Sequence, residues 1–185
     1  MSIDPDSDSL PPRRGIWLAL VAVVVLIADV LTKVAVVATL EGEPPVRLLG
    51  GFVYLQLVRN PGAAFSMATG MTWVLSIIAV SVVVTIIWIM PKLRSVGWAI
   101  GLGLVLAGAL GNLSDRVFRA PGPLQGHVVD FVSVFGPNAE YFPVFNVADS
   151  AIVCGGALIV LLALLGKDYD GRSTRTKAAT EVETS

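Results

Sequence analysis

The sequence predicts an all-α polytopic membrane protein, with four transmembrane helices and a small β-rich extracytoplasmic element on the membrane surface. Three observations carry this. Of 185 residues, 55% are hydrophobic and 15% charged, with a mean hydropathy of +0.77. A soluble domain of this length needs more polar surface. Four apolar segments of about spanning length divide the chain, and a strand-like stretch between turn signals interrupts them. The net charge of -1 leaves no basic field for nucleic acid. The single cysteine, Cys154, excludes an internal disulfide and a multi-cysteine metal site.

Residues 1–14, with Asp4, Asp6, Asp8 and Pro11-Pro12, read as a disordered tail. The first span covers 16–38, long enough at about 1.5 Å per residue. Arg13 and Arg14 precede it as in a signal peptide, but the run is longer than a typical h-region and no small-x-small site follows. A retained helix is the better reading. The first outer loop, 39–70, contains Gly51-Phe52-Val53-Tyr54-Leu55-Gln56-Leu57-Val58, rich in aromatic and β-branched residues. Pro44-Pro45 and Asn60-Pro61-Gly62 bound it as turns.

The second span, 71–90, has no charge and stops at Pro91. The third, 96–110, reaches spanning length only with Ser95 and residues 111–113. It carries Gly97, Gly101, Gly103, Ala107 and Gly111, small residues that let helices approach closely in lipid. The fourth covers 147–165, and 167–185 reads as a second disordered tail. The membrane domain is therefore 15–166. Four spans put both termini on one side with the turn between spans two and three. That side holds Arg13, Arg14, Lys92, Arg94, Lys167, Arg172, Arg175 and Lys177; the other holds Arg47, Arg59, Arg116 and Arg119. The bias makes both termini cytoplasmic, with loops 39–70 and 112–146 outward.

Polar residues are scarce, so their positions inform. Asp29 and Lys33 share one face of the first span. Such a pair either holds a bundle together or walls a site. At the end of the third span, Asn112, Asp115 and Arg116 converge on one face. They form a polar helix end, or Arg116 orients a carboxylate by a forked hydrogen bond. Asp130 stands between apolar Val129 and Phe131, unlike a solvated loop residue. Asn146 is a good N-cap for the last span, which puts Asp149 at the third helical position of a capping box.

Serine catalysis is disfavoured, because His127 is the only histidine and no Gly-x-Ser-x-Gly elbow exists. Zinc would have His127 with Asp130 and Glu140, one nitrogen ligand without a His-Glu-x-x-His pattern, so His127 reads as a polar loop residue. Cys154, in an apolar run, reads as a small hydrophobe. Two aspartates at one membrane face remain, and paired carboxylates can activate water by sharing a proton. Apolar flanks favour the proton on Asp130, and a helix N-terminus favours charge at Asp149.

Five stretches then form a pattern: Asp29-Val30-Leu31-Thr32-Lys33, Asn60-Pro61-Gly62-Ala63-Ala64-Phe65, Gly111-Asn112-Leu113-Ser114-Asp115-Arg116, Val128-Val129-Asp130-Phe131 and Phe145-Asn146-Val147-Ala148-Asp149-Ser150. Over 16–165 the chain resembles bacterial lipoprotein signal peptidase, or signal peptidase II, a family of aspartic membrane proteases with four spanning helices. The resemblance implies Asp130 and Asp149 as the catalytic dyad, supported by Asp29, Lys33, Asn60, Gly62, Asn112, Asp115, Arg116 and Asn146. It implies removal of signal peptides from prolipoproteins, before a diacylglyceryl cysteine, at the outer face of the inner membrane. No metal or organic cofactor is implied, and the expected partners are prolipoproteins and membrane lipid, with the enzyme a monomer. The rival reading is a small transporter or proton pathway using Asp29 and Lys33.

Overall fold

A computed structural model of the chain describes residues 11–62 and 72–171. The expected spans are helices α1 (Gly15–Leu40), α2 (Thr72–Ile89), α3 (Val96–Phe118) and α4 (Val147–Leu164). All four are long and apolar enough to cross a membrane. Ile16, Val24, Trp88 and Leu164 point outward and are exposed. Large apolar side chains at this density on every helix suit hydrocarbon rather than water. α2 tightens into a 3-10 turn at Met90–Lys92, where Pro91 lacks the N–H that would continue the helix.

α3 is the hub, packing against the other three helices. Its small residues are the reason. A Cβ on Gly155 of α4 would stand 2.6 Å from the Gly101 carbonyl oxygen, and one on Gly108 would strike the Ala148 carbonyl. The glycines let the α3 and α4 backbones approach more closely than side chains permit. The apolar core, with Leu18, Ile86, Leu93, Ala99, Leu102 and Leu106, lies along α1, α2 and α3. α3 is longer than the sequence suggests. It runs to Phe118, so Asn112, Asp115 and Arg116 occupy its last two turns.

The outer element is a three-stranded antiparallel sheet, ordered β1 (Val46–Leu48), β2 (Val53–Asn60), β3 (Val128–Val134). The strand expected at 51–58 is β2, shifted by two residues. β3 is an addition that the sequence reading lacked. Its alternating β-branched residues suit a strand, and it pairs Val58 with Asp130 and Asn60 with Val128. A bulge between Leu55 and Val58 shifts the register. Phe145 then pairs with Val132 (Phe145 N–H to Val132 O, 2.9 Å), which brings the start of α4 alongside β3.

This sheet joins the loop after α1 to the loop after α3, so both lie at one end of the bundle. At the other end, the Arg14 N–H donates to Leu93 O (2.7 Å) and the Arg94 N–H to Tyr169 O (2.9 Å). The start of α1, the α2–α3 turn and the chain after α4 therefore meet there. The tail boundary expected at 167 falls within this contact region, whose described part extends to Gly171. Ala63-Ala64-Phe65 and the tails at 1–10 and 172–185 lie outside the described residues.

Candidate active site

Asn146 caps α4. Its side-chain oxygen accepts the Asp149 N–H (2.9 Å), and Asp149 Oδ2 accepts the Asn146 N–H (3.1 Å). The capping box expected from the spacing is thus present, and it holds Asp149 in the first turn, where the helix dipole favours a carboxylate. The other oxygen, Oδ1, accepts from Asn112 Nδ2 at 2.7 Å, which links α4 to α3.

Asp130 sits on β3 with only 2% of its surface exposed. Its Oδ2 accepts from Asn60 Nδ2 of β2 (2.8 Å) and its Oδ1 from Asn146 Nδ2 (2.7 Å). Burial pushes its carboxyl up to about 7, and the neighbouring charge of Asp149 adds to the rise. The hydrogen bonds from Asn60 and Asn146 and the charge of Lys33 oppose it. Asn146 therefore touches both aspartates, Asp130 through its amide and Asp149 through its backbone and side-chain oxygen.

Behind them lies a row of buried charges. Lys33 Nζ pairs with Asp29 Oδ2 (2.8 Å) and Asp115 Oδ2 (2.9 Å) and donates to Asn112 Oδ1 (3.2 Å). Lys33 is 1% exposed and Asp29 0%. Asp29 Oδ1 accepts the Ala148 N–H (2.9 Å), Asp115 Oδ2 accepts the Val129 N–H (3.2 Å), and Arg119 pairs with Asp115 Oδ1. The row balances two acids against two bases. It ties α1 and α3 to the strand and helix that carry Asp130 and Asp149. A Cβ on Gly111 would strike Asp29, so glycine there makes room for this packing.

Asp130 and Asp149 open onto one cavity of about 550 Å³. Asn60, Gly62, Asn112 and Arg116 line it with them. The other four expected supporting residues, Asp29, Lys33, Asp115 and Asn146, are buried behind the wall. Arg116 departs from expectation. Its guanidinium reaches the carbonyl oxygens of Gly62 (3.3 Å) and Asn112 (3.4 Å) rather than forking onto a carboxylate, and its Nε has no partner among the described residues. Phe142, Pro143, Val144, Phe145 and Val153 give the cavity an apolar lining as well. Sequence reasoning missed these, although Phe142-Pro143-Val144-Phe145 is a four-residue apolar run in an outer loop. Cys154, read as a small hydrophobe of the fourth span, lies on the exposed side of α4 and lines the cavity. One helix face buries Ala148, Ala151 and Gly155, while Asp149, Ser150, Val153 and Cys154 share the other.

A family model described as Signal peptidase (SPase) II matches residues 21–165. The lipoprotein signal peptidase of Rhodococcus jostii strain RHA1 is 58% identical over 173 residues, covering 91% of this chain and 85% of that protein. That of Mycobacterium tuberculosis strain H37Rv is 56% identical over 160 residues, covering 86% of this chain and 77% of the relative. Among solved structures, a bacterial membrane enzyme determined by the in meso method at 1.9 Å resolution has a TM-score of 0.67 at 32% identity, covering 82% of this chain and 94% of that one. A second, at 2.3 Å resolution, gives a TM-score of 0.67 at 31% identity, covering 80% of this chain and 87% of its own. With four apolar helices, a three-stranded sheet and these relatives, the chain is a multi-pass membrane peptidase that belongs to the signal peptidase II family.

Proposed function

We propose that this protein is a membrane-embedded aspartic endopeptidase that removes signal peptides from diacylglyceryl-modified prolipoproteins. It cuts before the lipidated cysteine, at the outer face of the inner membrane, and works as a monomer with both termini in the cytoplasm. One observation carries the reading. Asp130 and Asp149 open onto a single cavity lined by both polar and large apolar side chains, and burial has pushed Asp130 up to about 7. A signal helix and acyl chains are apolar, and a peptide bond is polar, so such a cavity accommodates both.

The shared proton rests on Asp130. Asp149 takes a proton from water as the water oxygen bonds to the scissile carbonyl carbon. Asp130 gives its proton to the carbonyl oxygen, forming a neutral tetrahedral diol. The C–N bond then breaks, Asp149 returns its proton to the departing amine, and the second diol proton passes to Asp130. Asn60 and Arg116, in the polar lining, are placed to bind the substrate backbone. The rival transporter reading depends on Asp29 and Lys33, whose charges are already engaged by one another, by Asp115 and by Asn112.

The test uses purified protein with a diacylated prolipoprotein in detergent, read by mass spectrometry. Loss of the signal peptide is expected, with no turnover by Asp130→Asn or Asp149→Asn. Substantial cleavage by either variant rejects the mechanism. No cleavage by the wild-type protein, together with solute flux in vesicles, supports transport instead.

A further inference from the structure

Three asparagine side chains reach the two aspartates, and chemistry forces the orientation of each amide. The Lys33 ammonium stands 3.2 Å from Asn112 Oδ1. An ammonium only donates, so the amide atom facing it must be oxygen. The amide nitrogen then faces Asp149 Oδ1 at 2.7 Å. Asn60 Oδ1 accepts the Gly62 N–H (2.9 Å), which turns its nitrogen to Asp130 Oδ2 (2.8 Å). Asn146 Oδ1 accepts the Asp149 N–H (2.9 Å), which turns its nitrogen to Asp130 Oδ1 (2.7 Å). With the Asn146 N–H on Asp149 Oδ2, every carboxyl oxygen of the pair receives an N–H that cannot rotate to become an acceptor. Asn146 Nδ2 also donates to Asn112 Oδ1 (3.2 Å), beside its bond to Asp130. The Asn60 and Asn146 amides are anchored by backbone N–H groups, and Lys33 is the one charged anchor.

We propose that Lys33 is a positioning residue for the dyad, holding the Asn112 amide as an obligate donor to Asp149 from behind the cavity wall. This rests on the proposed aspartic mechanism. Without the ammonium, Asn112 Oδ1 keeps only the Asn146 amide, which is shared with Val129 O and Asp130 Oδ1, and the Asn112 amide turns more readily to present its oxygen to Asp149. That contact suits a protonated acid and opposes a carboxylate. Charged groups around the Lys33–Asn112–Asp149 line are Asp29 from α1, Asp115, Arg116 and Arg119 from α3, and Asp130 from β3. Removing Lys33 alone would leave Asp29 uncompensated. The test variant is therefore Lys33→Met/Asp29→Asn, which preserves net charge and leaves Asp115 paired with Arg119.

In the cleavage assay, kcat is expected to fall roughly tenfold to a hundredfold, the effect of losing one hydrogen bond to a charged group. KM should hardly move, because Lys33 does not line the cavity. The acidic limb of the kcat/KM profile, which belongs to the pair of aspartates, should move to higher pH. Asn112→Ala should move the limb in the same direction, and combining it with the charge-balanced variant should add nothing. A merely structural Lys33 would lower the yield of folded protein and leave the limb in place. Folded variant with an unmoved limb, or full additivity with Asn112→Ala, overturns the proposal. If the variant fails to fold, Asn112→Ala is the second readout; a limb at the wild-type position removes the amide route through which Lys33 is proposed to act and overturns the proposal. Absence of cleavage by the wild-type protein would overturn the functional reading itself, and this inference with it.

Discussion

Asp149 accepts the Asn146 N–H as a capping residue and faces the cavity with the same carboxylate. Capping and chemistry are separable because asparagine caps nearly as well as aspartate. Asp149→Asn is therefore expected to keep the thermal stability of the folded protein while losing turnover, and a large drop in Tm would show that the charge, not the cap, holds α4. Asp130 makes the opposite demand. Its carboxyl is raised from 3.8 to about 7 in the folded protein, so the folded state binds the proton more tightly than the unfolded chain. The stabilisation is complete below about 3.8 and is lost as pH rises to about 7. Wild-type stability should therefore fall by on the order of a few kcal/mol as pH rises through this range, and Asp130→Asn should flatten that dependence; parallel stability–pH curves for the two proteins would contradict this. Both aspartates were legible in the sequence because polar residues are scarce there and these two begin or interrupt apolar runs. The partners of Arg116 were not legible, since spacing on a helix gives a face but not the carbonyl oxygens opposite it. That Cys154 lines the cavity was not legible either, since an apolar neighbourhood does not give a residue's helical phase relative to Asp149.

β3 was the element hardest to anticipate. It is seven residues long with an aspartate in the middle, and its partner strand β2 lies in the other outer loop, with Asn60 and Asp130 70 residues apart. Pairing at that separation leaves no local periodicity to read. The helices were legible to within a few residues because length and apolar composition alone define a span. α3 was underestimated at its polar end, where hydropathy falls although helix geometry continues to Phe118. Its glycines allow a direct test of packing. A side chain on Gly155 would collide with Gly101 O, Leu104 and Val105, whereas a Cβ on Gly156 meets nothing within 4 Å. Gly155→Leu should cost about 1–3 kcal/mol through overpacking. Gly156→Ala should be neutral or up to about 1 kcal/mol stabilising, because alanine is the better helix former. Equal Tm values for the two variants would contradict the close α3–α4 approach.

For the whole molecule, the sequence supplied the number of spans, the two longer loops and the charge bias, and the sheet joins those loops at one end. Orientation has its own test. In a Cys154-free background, a cysteine at Gly42 or Ala139 should react with an impermeant thiol reagent on intact cells; labelling near Ser173 instead would invert the molecule. The cavity was not legible, because its walls come from β2, α3, β3, the segment before α4, and α4 itself. That division of labour also bears on how the site assembles. One aspartate comes with β3 and the other with α4, and two of their three amide donors stand on β2 and α3. A chain that stops short of α4 therefore holds one aspartate of the pair and lacks a wall of the cavity, so the two halves of the site meet only when the fourth helix packs against the third.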